Sequence, residues 1–123
     1  MEIGISYTST AVVDSSNTAA ALGSGDMDVF ATPAMVALME NAAMNAVAPH
    51  LEQGQTTVGT QISTSHIKAS ALGTTVSATA TLTSVTGRQL TFDIVAHEGD
   101  RVIGEGTHTR FIVDRERFLA KLK

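Results

Sequence analysis

The longest apolar run of the chain lies between Thr32 and Pro49 and predicts a single long helix. Residues 34–48 are mostly Ala, Leu and Met, which are strong helix formers. Thr32 suits the N-cap, Pro33 suits the first helical position, and Pro49 marks the end. Since no polar face emerges from the pattern, we expect this helix to be buried on most of its sides.

Elsewhere apolar and polar residues alternate, as is typical of half-buried strands. The predicted strands cover residues 5–13, 56–67, 75–83, 90–97 and 101–113. Tight turns at Gly87-Arg88 and at Glu98-Gly99-Asp100 join the later runs, so those neighbours should be antiparallel. The tail, residues 114–123, predicts a short helix anchored by Phe118.

The order of elements is strand, long helix and then four strands. One apolar helix and one antiparallel sheet bury their apolar faces together when the sheet wraps around the helix. The pattern therefore predicts an α+β fold in a single domain, residues 1–123. A ferredoxin-like or RNA-recognition fold would need a second comparable helix between strands, and the sequence contains none.

Composition and charge narrow the possible functions. The net charge is −4 and the eight Lys and Arg are scattered, which argues against nucleic acid as a partner. The absence of Cys excludes disulfides, Cys-ligated zinc and thiol catalysis, and no His and carboxylate spacing indicates a metal site. The first residues do not resemble a signal peptide, and no apolar stretch reaches the ~18 residues of a membrane span. We therefore expect a cytoplasmic protein without membrane contact.

Glu40 is the only charged residue in the predicted helix. A buried carboxylate without a partner is costly, and proteins often retain such a group for catalysis. The alternative is that one face of the helix reaches solvent and that Glu40 lies on it beside Asn41 and Asn45. The pattern alone favours neither interpretation.

Two further residues could take part in chemistry. His66 ends a predicted strand, where an imidazole can act as a base or be an ordinary edge residue. If that strand has no bulge, Val58, Thr60, Ile62 and Thr64 share its face. Thr32 is explained by its role as a helix cap, although free N–H groups at a helix N-terminus also stabilise a developing negative charge.

Several segments together resemble hotdog-fold thioesterases of the fluoroacetyl-CoA thioesterase-like group. The matching segments are residues 29–40, Gly59-Thr60, residues 66–73, Gly87-Arg88 and residues 104–108. The resemblance spans roughly residues 10 to 120, and its specific part is the spacing of Thr, Glu and His.

This resemblance implies a catalytic set of Thr32, Glu40 and His66, with substrate binding at Gly59 and Thr60. It also implies a side-by-side homodimer, or a dimer of dimers, with active sites at the subunit interface. CoA would enter only as part of the substrate, and no other cofactor is expected.

The function implied is hydrolysis of a small or medium acyl-CoA thioester. Fluoroacetyl-CoA is not the expected substrate, because the aromatic lid segment of the fluoroacetyl-specific enzyme is replaced by small and polar residues at 23–27. The alternatives are a non-catalytic acyl-CoA binding module and a hotdog enoyl hydratase or dehydratase. Lys68, Arg88 and Arg110 are candidates to contact the CoA phosphates.

Helix geometry adds a condition to this site. Thr32 and Glu40 are eight residues apart, which is about 12 Å along a helix axis. They cannot contact each other within one subunit, so His66, water or a second subunit must complete the site.

Overall fold

The computed structural model describes residues 1–123 and places one long helix against a five-stranded antiparallel sheet. The strands are β1 (Ser6–Val12), β2 (Gln55–His66), β3 (Thr75–Thr86), β4 (Gln89–Glu98) and β5 (Arg101–Asp114). The helices are α1 (Ala19–Leu22), α2 (Thr32–Val47) and α3 (Arg115–Ala120), and a short 3₁₀ turn follows α2 at Ala48–His50. The predicted α+β architecture, a sheet curled around a central helix, is confirmed.

The sheet has the strand order β1-β3-β4-β5-β2, and every neighbouring pair is antiparallel. Strands β3, β4 and β5 follow one another through tight turns, as predicted. Strand β2 comes directly after the helix and pairs only with β5, so it forms one edge of the sheet. None of the three helices is both long and apolar enough to cross a membrane.

The core lies between α2 and the concave face of the sheet. Its largest fully buried side chains include Met35, Met39, Leu82, Phe92 and Ile94. Burial of each such side chain stabilises the fold by about 1.5 to 3 kcal/mol. The inward positions of β3 include Ala78 and Ala80, whose small side chains fit beneath the helix.

One face of α2 remains exposed, contrary to the prediction that the helix is buried on most of its sides. Pro33, Ala37, Asn41, Met44 and Ala48 are exposed and recur every three or four residues. This spacing places them in one stripe along the helix. The chain therefore presents a largely apolar helix face that nothing within the chain covers.

The predicted role of Thr32 as an N-cap is wrong. The cap residue is Ala31, with extended backbone angles, and it provides no side-chain hydrogen bond to the helix. Thr32 is the first helical residue, followed by Pro33 in the first turn. Its hydroxyl is bonded to His66 of β2, a long-range partner that the local pattern could not indicate.

Strand β2 contains a bulge, so the predicted set of residues sharing one face is wrong. The register with β5 shifts between Gly59 and Gln61, which leaves Thr60 as an extra residue. Val58 pairs with the exposed Phe111, whereas Ile62 pairs with the buried His108. Because side chains alternate along β5, Val58 and Ile62 lie on opposite faces of the sheet.

The contact between α2 and β5 predicts a large effect of Gly104→Ala. A Cβ atom at Gly104 would lie 2.6 Å from the Met35 sulfur and 2.8 Å from the Ser65 carbonyl oxygen. We expect a loss of about 2 kcal/mol in the free energy of unfolding, measured by urea denaturation. The matched control is Glu105→Ala at the exposed neighbouring position, which should change stability by no more than about 0.5 kcal/mol. Equal stability of the two variants would contradict this packing.

Candidate active site

Thr32 and His66 form a hydrogen-bonded pair at one end of the helix. The Thr32 hydroxyl lies 2.8 Å from His66 Nδ1. Thr32 is held in the first turn of α2, and His66 is the last residue of β2. The ring of Phe30 meets the imidazole edge-on, at a centroid distance of 6.2 Å and an interplanar angle of 78°. The imidazole is therefore fixed on two sides, in an orientation that directs Nδ1 at the hydroxyl.

The surroundings of His66 favour its neutral form. Burial lowers the pKa of His66 below its ordinary value of 6.5, and the nearby backbone of Lys68 opposes this shift. A neutral imidazole can accept the Thr32 proton at Nδ1, which leaves the ring proton on Nε2. Nε2 is buried and makes no hydrogen bond of good geometry within the chain, and the Lys68 backbone is the polar group that acts on the ring.

A pocket of about 230 Å³ opens beside the Thr32–His66 pair. Its remaining lining residues are Ala19, Ser24, Val29, Phe30, Ile67, Lys68 and Ala69. Sites for drug-sized ligands usually occupy ~300 to 1,000 Å³, so this space suits a small group. Lys68 is the one cationic side chain on its wall, and its contact with CoA phosphates stays a prediction.

Glu40 lies in a second pocket, of about 290 Å³, with Ala37, Asn41, Met44 and Arg110. Its Oε2 atom is 3.9 Å from Arg110 Nη1, and its side chain is 42% exposed whereas that of Arg110 is 7% exposed. A Cβ atom at Gly59 would lie 3.0 Å from the same Oε2. Glu40 is therefore neither fully buried nor an ordinary solvated residue, because one oxygen is held over the backbone of β2.

Arg110 lies beside Glu40, a position that the sequence pattern did not assign to it. It is buried, and it donates from Nε to the Thr57 hydroxyl (2.8 Å) and from Nη2 to the Thr57 carbonyl (2.9 Å). These bonds and its burial do not favour its candidate role as a contact for the CoA phosphates, which stays untested. The alternation of side chains along a strand could have indicated that Arg110 faces inward, since it is two positions from the inward-facing His108.

The structure thus separates the predicted site residues into two groups. Thr32 and His66 form one. Glu40, over Gly59 of β2, forms the other, and about 12 Å of helix separates Glu40 from Thr32. Thr60, predicted to bind substrate, is the bulged residue of β2 between Gly59 and Gln61. Its hydroxyl donates to the Thr109 carbonyl at 3.2 Å. No group of three or more His, Cys, Asp or Glu side chains is arranged to hold a metal ion.

Comparisons with known proteins agree with this architecture. Residues 13–116 match the family described as fluoroacetyl-CoA-specific thioesterase. The chain is 47% identical over 96 residues to the fluoroacetyl-CoA thioesterase of Streptantibioticus cattleyicolor, covering 78% of this chain and 69% of the relative.

Solved structures extend the match to almost the whole chain. A fluoroacetyl-CoA thioesterase structure has a TM-score of 0.92 and 41% identity, covering 99% of this chain and 95% of that chain. A thioesterase-superfamily member from Thermus thermophilus has a TM-score of 0.90 at 24% identity, covering 98% and 90% of the two chains, and shows the shared fold. The chain therefore belongs to the fluoroacetyl-CoA-specific thioesterase family, with the hotdog fold, and is a thioester hydrolase.

Proposed function

We propose that this protein hydrolyses a small or medium acyl-CoA thioester to the free acid and CoA, in the cytoplasm and without a further cofactor. The observation that carries this proposal is the hydrogen bond between Thr32 and a neutral His66 at the edge of a small pocket. A hydroxyl paired with a neutral imidazole is the arrangement that activates an oxygen nucleophile. Family membership supports the same chemistry.

The reaction proceeds in two steps. Thr32 Oγ1 attacks the thioester carbonyl while His66 Nδ1 takes its proton, and the C–S bond then breaks as that proton passes to the departing CoA sulfur. A water molecule, whose proton Glu40 accepts, then attacks the acyl carbon of the resulting acyl-threonine ester. The bond from that carbon to Thr32 Oγ1 breaks as Glu40 returns the proton to Oγ1. The products are the carboxylic acid and the restored Thr32 hydroxyl.

The oxyanion forms next to the first turn of α2. This helix has no side-chain cap, so its first N–H groups are free to face negative charge. Such preorganised donors usually supply the largest single contribution to acyl-transfer catalysis. Gly59, which lies beneath Glu40, and the neighbouring Thr60 contact the substrate from the other side.

A homodimer completes the site, because Thr32 and Glu40 of one chain cannot meet. The exposed apolar face of α2 and the free edge of β2 are both available for a second copy. In the proposed side-by-side pair, Glu40 of the partner subunit lies against Thr32, which is exposed in the single chain. Each dimer then holds two equivalent composite sites, and dimers can pair further.

The acyl group is not restricted to fluoroacetyl. The segment of residues 23–27 is exposed, and its Ser24 lines the first pocket. Phe30 is the one phenylalanine, tyrosine or tryptophan among the lining residues, and its ring packs against His66. The pocket therefore offers no aromatic lid that would select a fluorinated methyl group.

A thiol-release assay over acetyl-, butyryl-, octanoyl- and fluoroacetyl-CoA tests the proposed function. We expect kcat/KM for the best acyl group to reach about 10⁴ M⁻¹s⁻¹ or more, with fluoroacetyl-CoA preferred over acetyl-CoA by less than about tenfold. A preference near a thousandfold would contradict the proposed substrate range. CoA binding without turnover would favour a binding module, and water addition to crotonyl-CoA would favour a hydratase.

Subunit mixing tests the composite site. Thr32→Ala and Glu40→Gln should each lose about 10²- to 10⁴-fold in kcat as homodimers. Heterodimers of the two variants contain one intact site, so an equal mixture after subunit exchange should regain about a quarter of the parent activity. Glu105→Gln, at an exposed position of β5, is the control and should keep full activity. No recovery in confirmed heterodimers would show that the site lies within one chain.

The pH dependence of kcat/KM tests the role of His66. Because burial lowers its pKa from 6.5, the imidazole stays neutral and able to accept a proton as the pH falls below that value. We expect kcat/KM to be constant from about pH 8 to 6.5 and to fall to half only below 6.5, with circular dichroism to verify folding. A midpoint above 6.5 would exclude a buried neutral His66 as the base.

A further inference from the structure

A buried histidine lies beneath Glu40, outside the predicted catalytic set. His108 is 2% exposed and is enclosed by β2, β4 and the helix. Its Nδ1 lies 2.7 Å from the Gln61 carbonyl oxygen, and its Nε2 lies 3.2 Å from Arg110 Nη1. The ring of Phe92 on β4 is 6.2 Å away at 30°, so the imidazole has little room to turn.

These two contacts determine which ring nitrogen of His108 carries the proton. The Gln61 carbonyl can only accept, so Nδ1 must donate to it. The guanidinium of Arg110 can only donate, so Nε2 must be the acceptor. Only the neutral form with the proton on Nδ1 satisfies both contacts. A proton on Nε2 would face the Arg110 N–H directly.

Arg110 makes three hydrogen bonds within the chain, and the part of its guanidinium that they leave free faces the Glu40 carboxylate. Nε and Nη2 are bonded to Thr57, and Nη1 is bonded to His108. Nη1 carries two hydrogens, and the carboxylate near it is that of Glu40, at 3.9 Å. The guanidinium is thus fixed on three sides and faces Glu40 on the fourth.

The charged groups that face His108 favour its neutral form on balance. They are Arg110 on β5 and Glu40 on α2, whereas β2 and β4 present the neutral Gln61 and Phe92. Burial is the main cause that lowers the pKa of His108, and the charge of Arg110 acts in the same direction. Glu40 and the Gln61 backbone oppose the shift.

We propose that His108 is a positioning residue for thioester hydrolysis, because its neutral Nδ1–H form accepts a hydrogen bond from Arg110 and so holds the guanidinium against Glu40. This inference rests on the proposed function of Glu40. His108 does not contact the substrate in this arrangement, and it acts only through Arg110. The bulge at Thr60 takes part indirectly, because Gln61, whose carbonyl binds His108, follows it directly.

Three variants separate positioning from general packing. His108→Leu removes the acceptor, and we expect kcat to fall about tenfold with KM changed less than about twofold. His108→Gln places an amide oxygen near the position of Nε2, and it should recover kcat to within about threefold of the parent. His97→Gln on β4 is the matched control at a histidine outside this network. Equal losses for the Leu and Gln variants would contradict the proposal.

A double-mutant cycle tests whether His108 acts through Arg110. In an Arg110→Met background the guanidinium is absent, so adding His108→Leu should cost less than about twofold in kcat. A further tenfold loss in that background would show that His108 acts by another route. Activity of the parent protein is measured first, so that failure of the proposed function is distinguished from failure of this inference.

The tautomer can be read in the unliganded protein without any activity. The ¹⁵N chemical shifts of the His108 ring at pH 7.5 should show a protonated Nδ1 and an unprotonated Nε2. This measurement remains informative if the Leu variant fails to fold. A protonated Nε2 or a charged ring would overturn the proposal.

Discussion

The contact of side chains from helix α2 with strands β2 and β5 is the interaction on which the geometry of the candidate site depends. It is possible because the sheet carries glycine where the helix side chains descend. Glu40 lies over Gly59, and the Met35 sulfur lies over Gly104. A larger residue at either position would push the helix away from the sheet. Thr32 lies one turn before Met35, so its hydroxyl would then be too far from His66 for their hydrogen bond. The same two glycine contacts therefore determine both the packing of the core and the geometry of the candidate site.

The polar groups beneath α2 illustrate how a small domain can bury a cation. An unpaired charge in the interior is strongly unfavourable, and it is tolerated only when its hydrogen bonds are satisfied. Arg110 meets this condition with two bonds to Thr57 and one to a neutral imidazole. Burial lowers the pKa of both His66 and His108. His66 faces the Thr32 hydroxyl, which it can deprotonate. His108 faces the Arg110 guanidinium, from which it can only accept a hydrogen bond.

Much of the fold could be predicted because it follows from local regularities. The alternation of apolar residues located the strands, and the run of Ala and Met located α2. Glu40 was recognisable as the lone charge of that helix, although the Thr and His roles came from a family resemblance. Thr32 was misassigned because a helix-start residue is normally satisfied locally, whereas its actual partner is 34 residues away in sequence. Arg110 was considered only as a contact for the CoA phosphates, because arginine is ordinarily a surface residue.

The extra residue in β2 has a consequence for how one strand can serve both parts of the site. In a regular strand, side chains separated by an odd number of positions point to opposite faces. Gly59 and His66 are seven positions apart, yet their β5 partners, Arg110 and Gly104, are six apart and share a face. The insertion of Thr60 changes the phase between them and turns both toward the helix. A single-residue deletion here would leave the strand paired and the composition almost unchanged, while directing one half of the chemistry to the outside of the protein.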